Sequence, residues 1–240
     1  MTPHPPAGML LVDKPQDWTS HDCVAVLRKL FPRGTKVGHT GTLDPLATGL
    51  LVILVGPCTK LQARLQGMDK IYTGTIRLGV KTDTGDVTGK TVEEKPVPAL
   101  DLAALKAACA SLVGEVNAPA PAYSAVKHEG RPLYEYARKG LAVPVKARTS
   151  TVRAWEALAW NAPELTHRVE CESGTYVRTL AEVLGDKLGC GGTVSALRRE
   201  TIGPFLLSDA KTLDAWRALP PAELALALTN SLPKLEAALK

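Results

Sequence analysis

The 240-residue sequence lacks long hydrophobic runs, and its longest apolar stretch, Gly49–Val55, is far too short to cross a bilayer. It is also poor in cysteine: the five Cys residues are widely spaced and form no CxxC pair. We therefore expect no disulfide framework, and this usage favours a reducing cytoplasm. The Pro-rich segment Met1–Gly8 has no basic stretch followed by an apolar one, so we expect no secretory signal.

Several motifs that define enzyme classes are missing. No GxGxxG, HExxH or GxSxG occurs, which removes support for a dinucleotide enzyme, a zinc protease and a hydrolase with a serine elbow. Thr84–Thr91 ends like a phosphate-binding loop, but Thr84 stands where the first Gly is required. Pro57 and Cys58 begin a zinc-deaminase PCxxC pattern whose second Cys is absent, so zinc is not expected.

The composition is that of a globular protein, with 45% hydrophobic and 22% charged residues and a net charge of +5. The positive charge lies in two islands. Residues 127–153 hold seven Lys or Arg against two Glu, and residues 28–36 hold four without an acid. Two such islands on a mildly acidic body are typical of binding to a phosphate backbone, although two solvated faces have the same pattern.

The apolar pattern predicts strands and helices without regular βαβ alternation. The predicted strands are Gly8–Asp13, Leu50–Val55, Ile71–Leu78, Thr151–Leu158 and Leu165–Cys171, with a strand or loop at Thr193–Thr201. The predicted helices start at Thr19-Ser20 and span Ala99–Val113 and Thr175–Leu188. Val37–Gly49 is predicted to be a loop, and residues 118–148 an extended arm. This mixture indicates an α+β fold with a mixed, mainly antiparallel central sheet flanked by helices and loops.

The predicted loop Val37–Gly49 reads VGHTGTLDPLATG and contains His39 and Asp44. Glycine allows the backbone to approach a ligand closely, and a residue before proline adopts an extended or turn conformation. Asp44 either stabilises its own turn or is a nucleophile kept ionised by an arginine. Because no second carboxylate lies nearby in the sequence, a glycosidase-type carboxylate pair is not indicated.

This loop resembles GHTGTLDPxATG, the catalytic motif of TruB-type tRNA pseudouridine synthases. Other stretches resemble that family in the same order, namely Gly8–Ser20, Lys70–Gly79, Tyr123–Gly140, Cys171–Leu180 and Leu188–Arg199. The resemblance implies a pseudouridine-synthase fold. It also implies a catalytic domain over residues 8–207, which includes the RNA-gripping arm at 118–148. Residues 208–240 are then a short helical tail, too short for a full PUA barrel.

The function implied by the resemblance is isomerisation of uridine to pseudouridine at position 55 in the T loop of tRNA. The family works without a cofactor or a metal on a flipped-out nucleotide. Asp44 matches the essential aspartate, Tyr72 the tyrosine that stacks on the target base, and Arg178 the arginine that pairs with the aspartate. The resemblance leaves open whether attack occurs at C1′ or at the base, or whether a glycal forms.

The resemblance also implies contacts with the tRNA T stem-loop. His39 matches a histidine that holds the T loop with its target nucleotide flipped out, and Leu197 matches an apolar residue of the base pocket. Further residues expected to bind the substrate are Lys14, Lys127, Arg131, Tyr134, Arg138 and Tyr176. With no sustained heptad pattern, we expect a cytoplasmic monomer without a membrane or an obligate protein partner.

The sequence departs from the family pattern in two places. Asp17 lies in the stretch Gly8–Ser20, which resembles the first motif of the family, and stands where that motif has Gly, so we expect a different turn there. Ala118 and Ala120 lie within a stretch where the family has Gln-x-Pro-Pro, so the Gln contact is missing. Two alternatives to the T-loop enzyme therefore remain: an RNA-binding chaperone, and a synthase for a different RNA site.

Overall fold

The computed structural model describes residues 5–141 and 143–239, which form two compact units. The first unit comprises the chain up to Tyr72 and the chain from Arg198 onward, and the second comprises Thr73–Leu197. Three parts of the sequence predictions lie outside the described residues: the beginning of the N-terminal segment at 1–4, Ala142 in the arm, and Lys240 in the tail.

The elements follow one another along the chain as an irregular mixture of strands and helices. The strands are β1 Gly8–Lys14, β2 Val37–His39, β3 Thr48–Val55, β4 Lys70–Leu78, β5 Val80–Thr82, β6 Thr91–Glu94, β7 Gly114–Pro119, β8 Lys127–His128, β9 Arg131–Pro132, β10 Ala147–Asn161, β11 Glu164–Cys171, β12 Gly192–Ile202, β13 Phe205–Leu206 and β14 Lys211–Thr212. The α-helices are α1 Ser20–Arg28, α2 Gln62–Gln66, α3 Leu102–Ala110, α4 Leu133–Ala137, α5 Val177–Lys187, α6 Leu213–Ala218 and α7 Pro221–Ala237. The predicted α+β class is confirmed.

The first unit is built on a mixed sheet. In it β3 pairs antiparallel with β1 and β2 and parallel with the end of β12, while β14 runs parallel to β1. β3 is buried on both faces, as its continuous apolar sequence predicts. Leu51 and Ile53 face a core that includes Leu228 of α7, whereas Leu50 and Val52 face a second core on the other side.

The second unit contains an antiparallel sheet in which β10 lies between β7 and β11. Helix α3 packs against β10, and α5 packs against α3 and β7. β5 and β6 form one antiparallel hairpin, and β8 and β9 form another. Within the described residues no helix is both long enough and apolar enough to cross a membrane.

Helix α1 begins where the sequence predicts. The Thr19 hydroxyl accepts a hydrogen bond from the Asp22 N–H, and the Asp22 carboxylate accepts one from the Thr19 N–H. This reciprocal pair is a capping box, which satisfies two backbone donors that the first turn leaves without partners. The cap fixes the first helical residue, Ser20, whose side chain is needed at the site described below.

Three sequence predictions of structure need correction. The expected loop Val37–Gly49 is framed by strands, because β2 pairs with β3 and β3 begins at Thr48. The expected arm at 118–148 is not uniformly extended, since it holds the β8–β9 hairpin and α4. The tail at 208–240 is mainly helical, but it also contains β14, which gains its partner in β1.

Candidate active site

Asp44 lies in the connection between β2 and β3 of the first unit and is partly buried. The connection leaves the sheet at Thr40, whose N–H donates to the Val52 carbonyl at 3.1 Å. Asp44 opens a tight turn, because its carbonyl accepts from the Ala47 N–H at 3.1 Å. Proline at 45 keeps Asp44 out of helical geometry, as the sequence predicts. A turn therefore presents the carboxylate at the end of two paired strands.

The first motif holds this turn from both sides. The Ser20 hydroxyl donates to the Leu43 carbonyl at 3.1 Å and accepts from the Leu43 N–H at 2.7 Å. On the other side of Asp44, the Asp17 N–H donates to the Pro45 carbonyl at 2.8 Å. The residues before and after Asp44 are thus fixed by bonds to a segment more than twenty positions earlier in the chain. The sequence pattern contains Ser20 but predicts only a helix start there, not this contact.

Lys14 also contacts the turn that carries Asp44. Its side chain is buried, and its ammonium donates to the carbonyls of Pro15 at 2.9 Å, Trp18 at 2.6 Å and Pro45 at 3.4 Å. Burial lowers the pKa of Lys14, while the negative charges of nearby groups, Asp44 among them, oppose that shift. In this structure Lys14 positions the loop, and its contact with RNA stays a prediction.

Asp17 adopts the backbone conformation that glycine favours. Its φ of +66° lies in the left-handed region, which aspartate tolerates better than most residues. The turn of the first motif is therefore one that glycine would also adopt, contrary to our expectation of a different turn. Because the Asp17 N–H is the donor to Pro45, this conformation contributes directly to the placement of the Asp44 loop.

His39 ends β2 and is partly buried. Its Nδ1 accepts a hydrogen bond from the Gly41 N–H at 3.3 Å. Burial, followed by the positive charges of Arg199 and His21, lowers the pKa of His39 below its ordinary value. These surroundings favour the neutral imidazole, and in that form the bond from Gly41 places the proton on Nε2. Its predicted contact with the T loop is not tested by this geometry.

Tyr72 lies on β4 and is the last residue of the first unit before the chain enters the second. Only 7% of its surface is exposed. Two residues earlier on the same face, Lys70 is also buried and donates to the carbonyls of Gln66 and Met68. Alternation along the strand predicts that Tyr72 points to a buried face. Its role as the tyrosine that stacks on the target base stays a prediction.

Arg178 lies in the first turn of α5 in the second unit and is buried. Its guanidinium donates to the Thr84 carbonyl at 2.6 Å and to the Tyr123 carbonyl at 2.8 Å. Thr84 is itself fixed, because its hydroxyl donates to the Asp86 carboxylate at 2.9 Å. The two carbonyls, one of them in a turn held by the bond from Thr84 to Asp86, thus set the orientation of the guanidinium. Its pairing with Asp44 stays a prediction.

Tyr176 and Leu197 are the other predicted residues in the second unit. Tyr176 stands immediately before α5 and lines a cavity of about 130 Å³ together with Ala118 and Ala120, which replace part of the family's Gln-x-Pro-Pro pattern. Leu197 packs against Gly74, where an added Cβ would lie 3.2 Å from the Leu197 side chain. Neither contact tests the substrate role predicted for these residues.

The arm presents its predicted basic residues to solvent. Lys127 and Arg131 are exposed on the β8–β9 hairpin, and Arg138 is exposed just after α4. The Arg138 guanidinium lies 5.3 Å from the centre of the Tyr134 ring, a cation–π contact. The arrangement offers cations and a ring along one segment, which are the groups that bind phosphate and unstacked bases. Within the described part of the chain, no three His, Cys, Asp or Glu side chains form a metal-binding group.

Known proteins are similar to this chain over most of its length. The model of the TruB family pseudouridylate synthase N-terminal domain matches residues 28–177, and that of the tRNA pseudouridylate synthase B C-terminal domain matches residues 178–239. The tRNA pseudouridine synthase B of Aromatoleum aromaticum is 46% identical, over 95% of this chain and 76% of its own length. The protein of the same name from Burkholderia mallei is 46% identical, over 97% of this chain and 79% of its own.

A solved structure is also similar. The crystal structure of a Cbf5-Nop10-Gar1 complex matches with a TM-score of 0.67 and 27% identity over 86% of this chain, which spans about half (52%) of the matched chain. The expected pseudouridine-synthase fold is confirmed. The chain therefore belongs to the TruB family of tRNA pseudouridine synthases, isomerases that convert uridine in tRNA to pseudouridine.

Proposed function

We propose that this chain isomerises the uridine at position 55 in the T loop of tRNA and that Asp44 is the nucleophile. The observation that carries the proposal is the mounting of the Asp44 turn. Ser20 fixes Leu43 on one side, and Asp17 and Lys14 fix Pro45 on the other. A carboxylate between two fixed neighbours keeps its orientation toward a reacting carbon, which lowers the entropic part of the barrier.

The reaction breaks the bond between uracil N1 and ribose C1′ and forms a bond between uracil C5 and C1′. The C5 proton is released to solvent and N1 takes up a proton, so that the product is an isomer of the substrate. The base has to leave the stack before the glycosidic bond is accessible, so the nucleotide is flipped out. Asp44 supplies the electron pair that attacks ribose or base, and uracil rotates before it reattaches through carbon.

Two further residues have roles in this proposal. Arg178 pairs with the Asp44 carboxylate and keeps it ionised, since a nearby cation favours the charged form. The bonds from its guanidinium to the Thr84 and Tyr123 carbonyls support a fixed direction for that charge. Tyr72 stacks on the target base, a role that its position on a buried strand face supports.

The RNA contacts of the proposal come from the arm and from side chains near the reacting base. Exposed Lys127, Arg131 and Arg138 contact phosphates of the T stem-loop, and Tyr134 stacks on an unpaired base. The positive island at residues 127–153, with seven basic against two acidic residues, supports this assignment. His39, Tyr176 and Leu197 hold the flipped nucleotide.

The test is release of tritium from C5-labelled uridine in a transcribed T stem-loop, with purified chain and no added cofactor or protein. A matched stem-loop with cytidine at the target position gives the background. Asp44→Asn is expected to abolish release while RNA binding and the circular-dichroism spectrum stay unchanged. Asp101→Asn is the matched control, because asparagine still caps α3 where Asp101 accepts from the Ala104 N–H.

Each other result has a distinct meaning. Full release by Asp44→Asn refutes the nucleophile. Binding without release favours the RNA-binding chaperone, and release only from other stem-loops favours a different target site. A requirement for an added protein or cofactor refutes the proposal that the chain acts alone.

A further inference from the structure

One buried side chain contacts both ends of the loop that carries Asp44. Arg199 lies on β12 in the first unit and is 1% exposed. Its Nε donates to the Leu50 carbonyl at 2.8 Å, and its Nη2 donates to the Gly41 carbonyl at 3.0 Å. Gly41 precedes the Asp44 turn and Leu50 follows it, so a single guanidinium bridges the entry and the exit of the loop.

The main chain of the same residue contacts the loop again. Arg199 is paired with Gly49 where β12 runs beside β3. A Cβ at Gly49 would lie 2.4 Å from the Arg199 carbonyl oxygen and 2.7 Å from its nitrogen, so a side chain there is excluded. Gly49 also has a φ of +97°, which favours glycine. The loop therefore begins against the side chain of Arg199 and ends against its backbone.

The two hydrogen bonds of Arg199 do not by themselves require a charged side chain. Burying a guanidinium costs free energy unless partners compensate it, and the acceptors here are neutral carbonyls and not a carboxylate. The charge reaches its surroundings, because it adds to burial, the main cause, in lowering the pKa values of His39 and, to a smaller extent, Lys14. Both residues contact the same loop. The buried positive charge beside the loop is therefore a second observation, in addition to the two hydrogen bonds, that packing alone does not explain.

We propose that Arg199 is a positioning residue for Asp44: it closes the loop between Gly41 and Leu50 and so holds the carboxylate at its place of attack. The inference rests on the proposed function of Asp44. It differs from a general structural role in its consequence, because loosening the loop slows the chemical step more than it weakens RNA binding.

The test uses Arg199→Met and Arg199→Lys. Methionine keeps the length of the side chain and removes both donors, whereas lysine keeps the charge and can reach one carbonyl. The measurements are the single-turnover rate of tritium release at saturating T stem-loop and the Kd for the same RNA. We expect the methionine variant to lose about 100-fold in rate, the loss typical of a misplacement of about 1 Å, with Kd changed less than about threefold. The rate of the lysine variant is expected to be about tenfold higher than that of the methionine variant.

A control separates positioning from loss of stability. Leu228→Ala removes a buried side chain of α7 from the core that Leu51 and Ile53 face, whereas the hydrogen bonds that hold the loop come from other residues. It is expected to lower the thermal midpoint while each folded molecule keeps its rate. All rates are therefore compared per folded molecule, with the folded fraction taken from circular dichroism at the assay temperature.

Two results would overturn the inference. One is a rate per folded molecule of Arg199→Met, or of Arg199→Lys if methionine does not fold, equal to that of the unchanged chain. The other is a parallel loss of rate and RNA affinity, which assigns Arg199 to binding. Release that depends on Asp44 but not on Arg199 overturns this inference alone, whereas release that is indifferent to Asp44→Asn refutes the proposed function as well.

Discussion

Replacement of His167 by asparagine is expected to remove part of the chain's acid sensitivity. His167 lies on β11 with none of its surface exposed, and its Nδ1 accepts a hydrogen bond from Trp155 Nε1 at 3.1 Å. Because Nδ1 is the acceptor, the neutral ring carries its proton on Nε2. Burial disfavours the imidazolium and lowers the pKa of His167 from 6.5 to about 4.

The sign follows from where the protons bind. Between pH 6.5 and about 4 the unfolded chain carries a proton on this histidine and the folded chain does not, so stability falls as the pH falls through that window. The shift corresponds to a loss of about 3 kcal/mol once the pH lies below both values, and about 2 kcal/mol of it is already lost at pH 5. Above pH 6.5 the contribution is complete and flat.

The assay is urea unfolding at pH 7.5, 6, 5.5 and 5, followed by circular dichroism. Asparagine keeps an acceptor for Trp155 but does not titrate, so the stability of His167→Asn lacks the pH dependence that His167 gives the unchanged chain. The difference between the two proteins is expected to shrink by about 2 kcal/mol from pH 7.5 to pH 5. His21→Asn, at an exposed position of α1, is measured in parallel as the matched histidine substitution. A constant difference between His167→Asn and the unchanged chain would refute the reasoning, because it would mean that His167 titrates alike in both states.

Three further predictions concern the loop and the thiols. Gly49→Ala is expected to lower the thermal midpoint and abolish tritium release, since its Cβ would lie 2.4 Å from a backbone oxygen; Gly67→Ala, whose Cβ meets nothing closer than 3.4 Å, is the control. Ser20→Ala removes both bonds to Leu43 and is expected to cost about 1–3 kcal/mol in urea unfolding and to slow release without weakening RNA binding. Burial raises the pKa of the Cys109 thiol to about 12, so native protein at pH 8 should leave it unmodified by a thiol reagent that reacts with it after unfolding.

The elements that the sequence predicts well carry strong local signals. β3 is a continuous apolar run, and α1 begins with a complete capping box, so both form where expected. α3 is shorter than predicted, Leu102–Ala110 instead of Ala99–Val113, because the Asp101 cap fixes its start. β2 was missed because three residues show no alternation, and only pairing with β3 makes them a strand.

The candidate site also has a part that the local sequence predicts and a part that it does not. The motif around Asp44 predicts a turn that presents a carboxylate, and the turn is present. The partners of that turn could not be read from spacing. Ser20 lies 23 positions before Leu43, and Arg199 lies 149 positions after Leu50. A local pattern contains no information on such distances, so the side chains that hold a site are harder to predict than those that perform its chemistry.

The way this loop is held follows from a conflict between order and reactivity. A nucleophile has to be immobile and also accessible, yet burial and bonds to its own side chain would make it immobile at the expense of access. In this structure, hydrogen bonds also fix the main chain on either side of Asp44, at Gly41, Leu43, Pro45 and Leu50. Several of these bonds come from buried side chains, where an unpaired partner is costly, so breaking one is penalised by the desolvation of the group left behind. The loop can therefore be irregular and partly exposed and still be ordered, because buried side chains beside it fix its main chain.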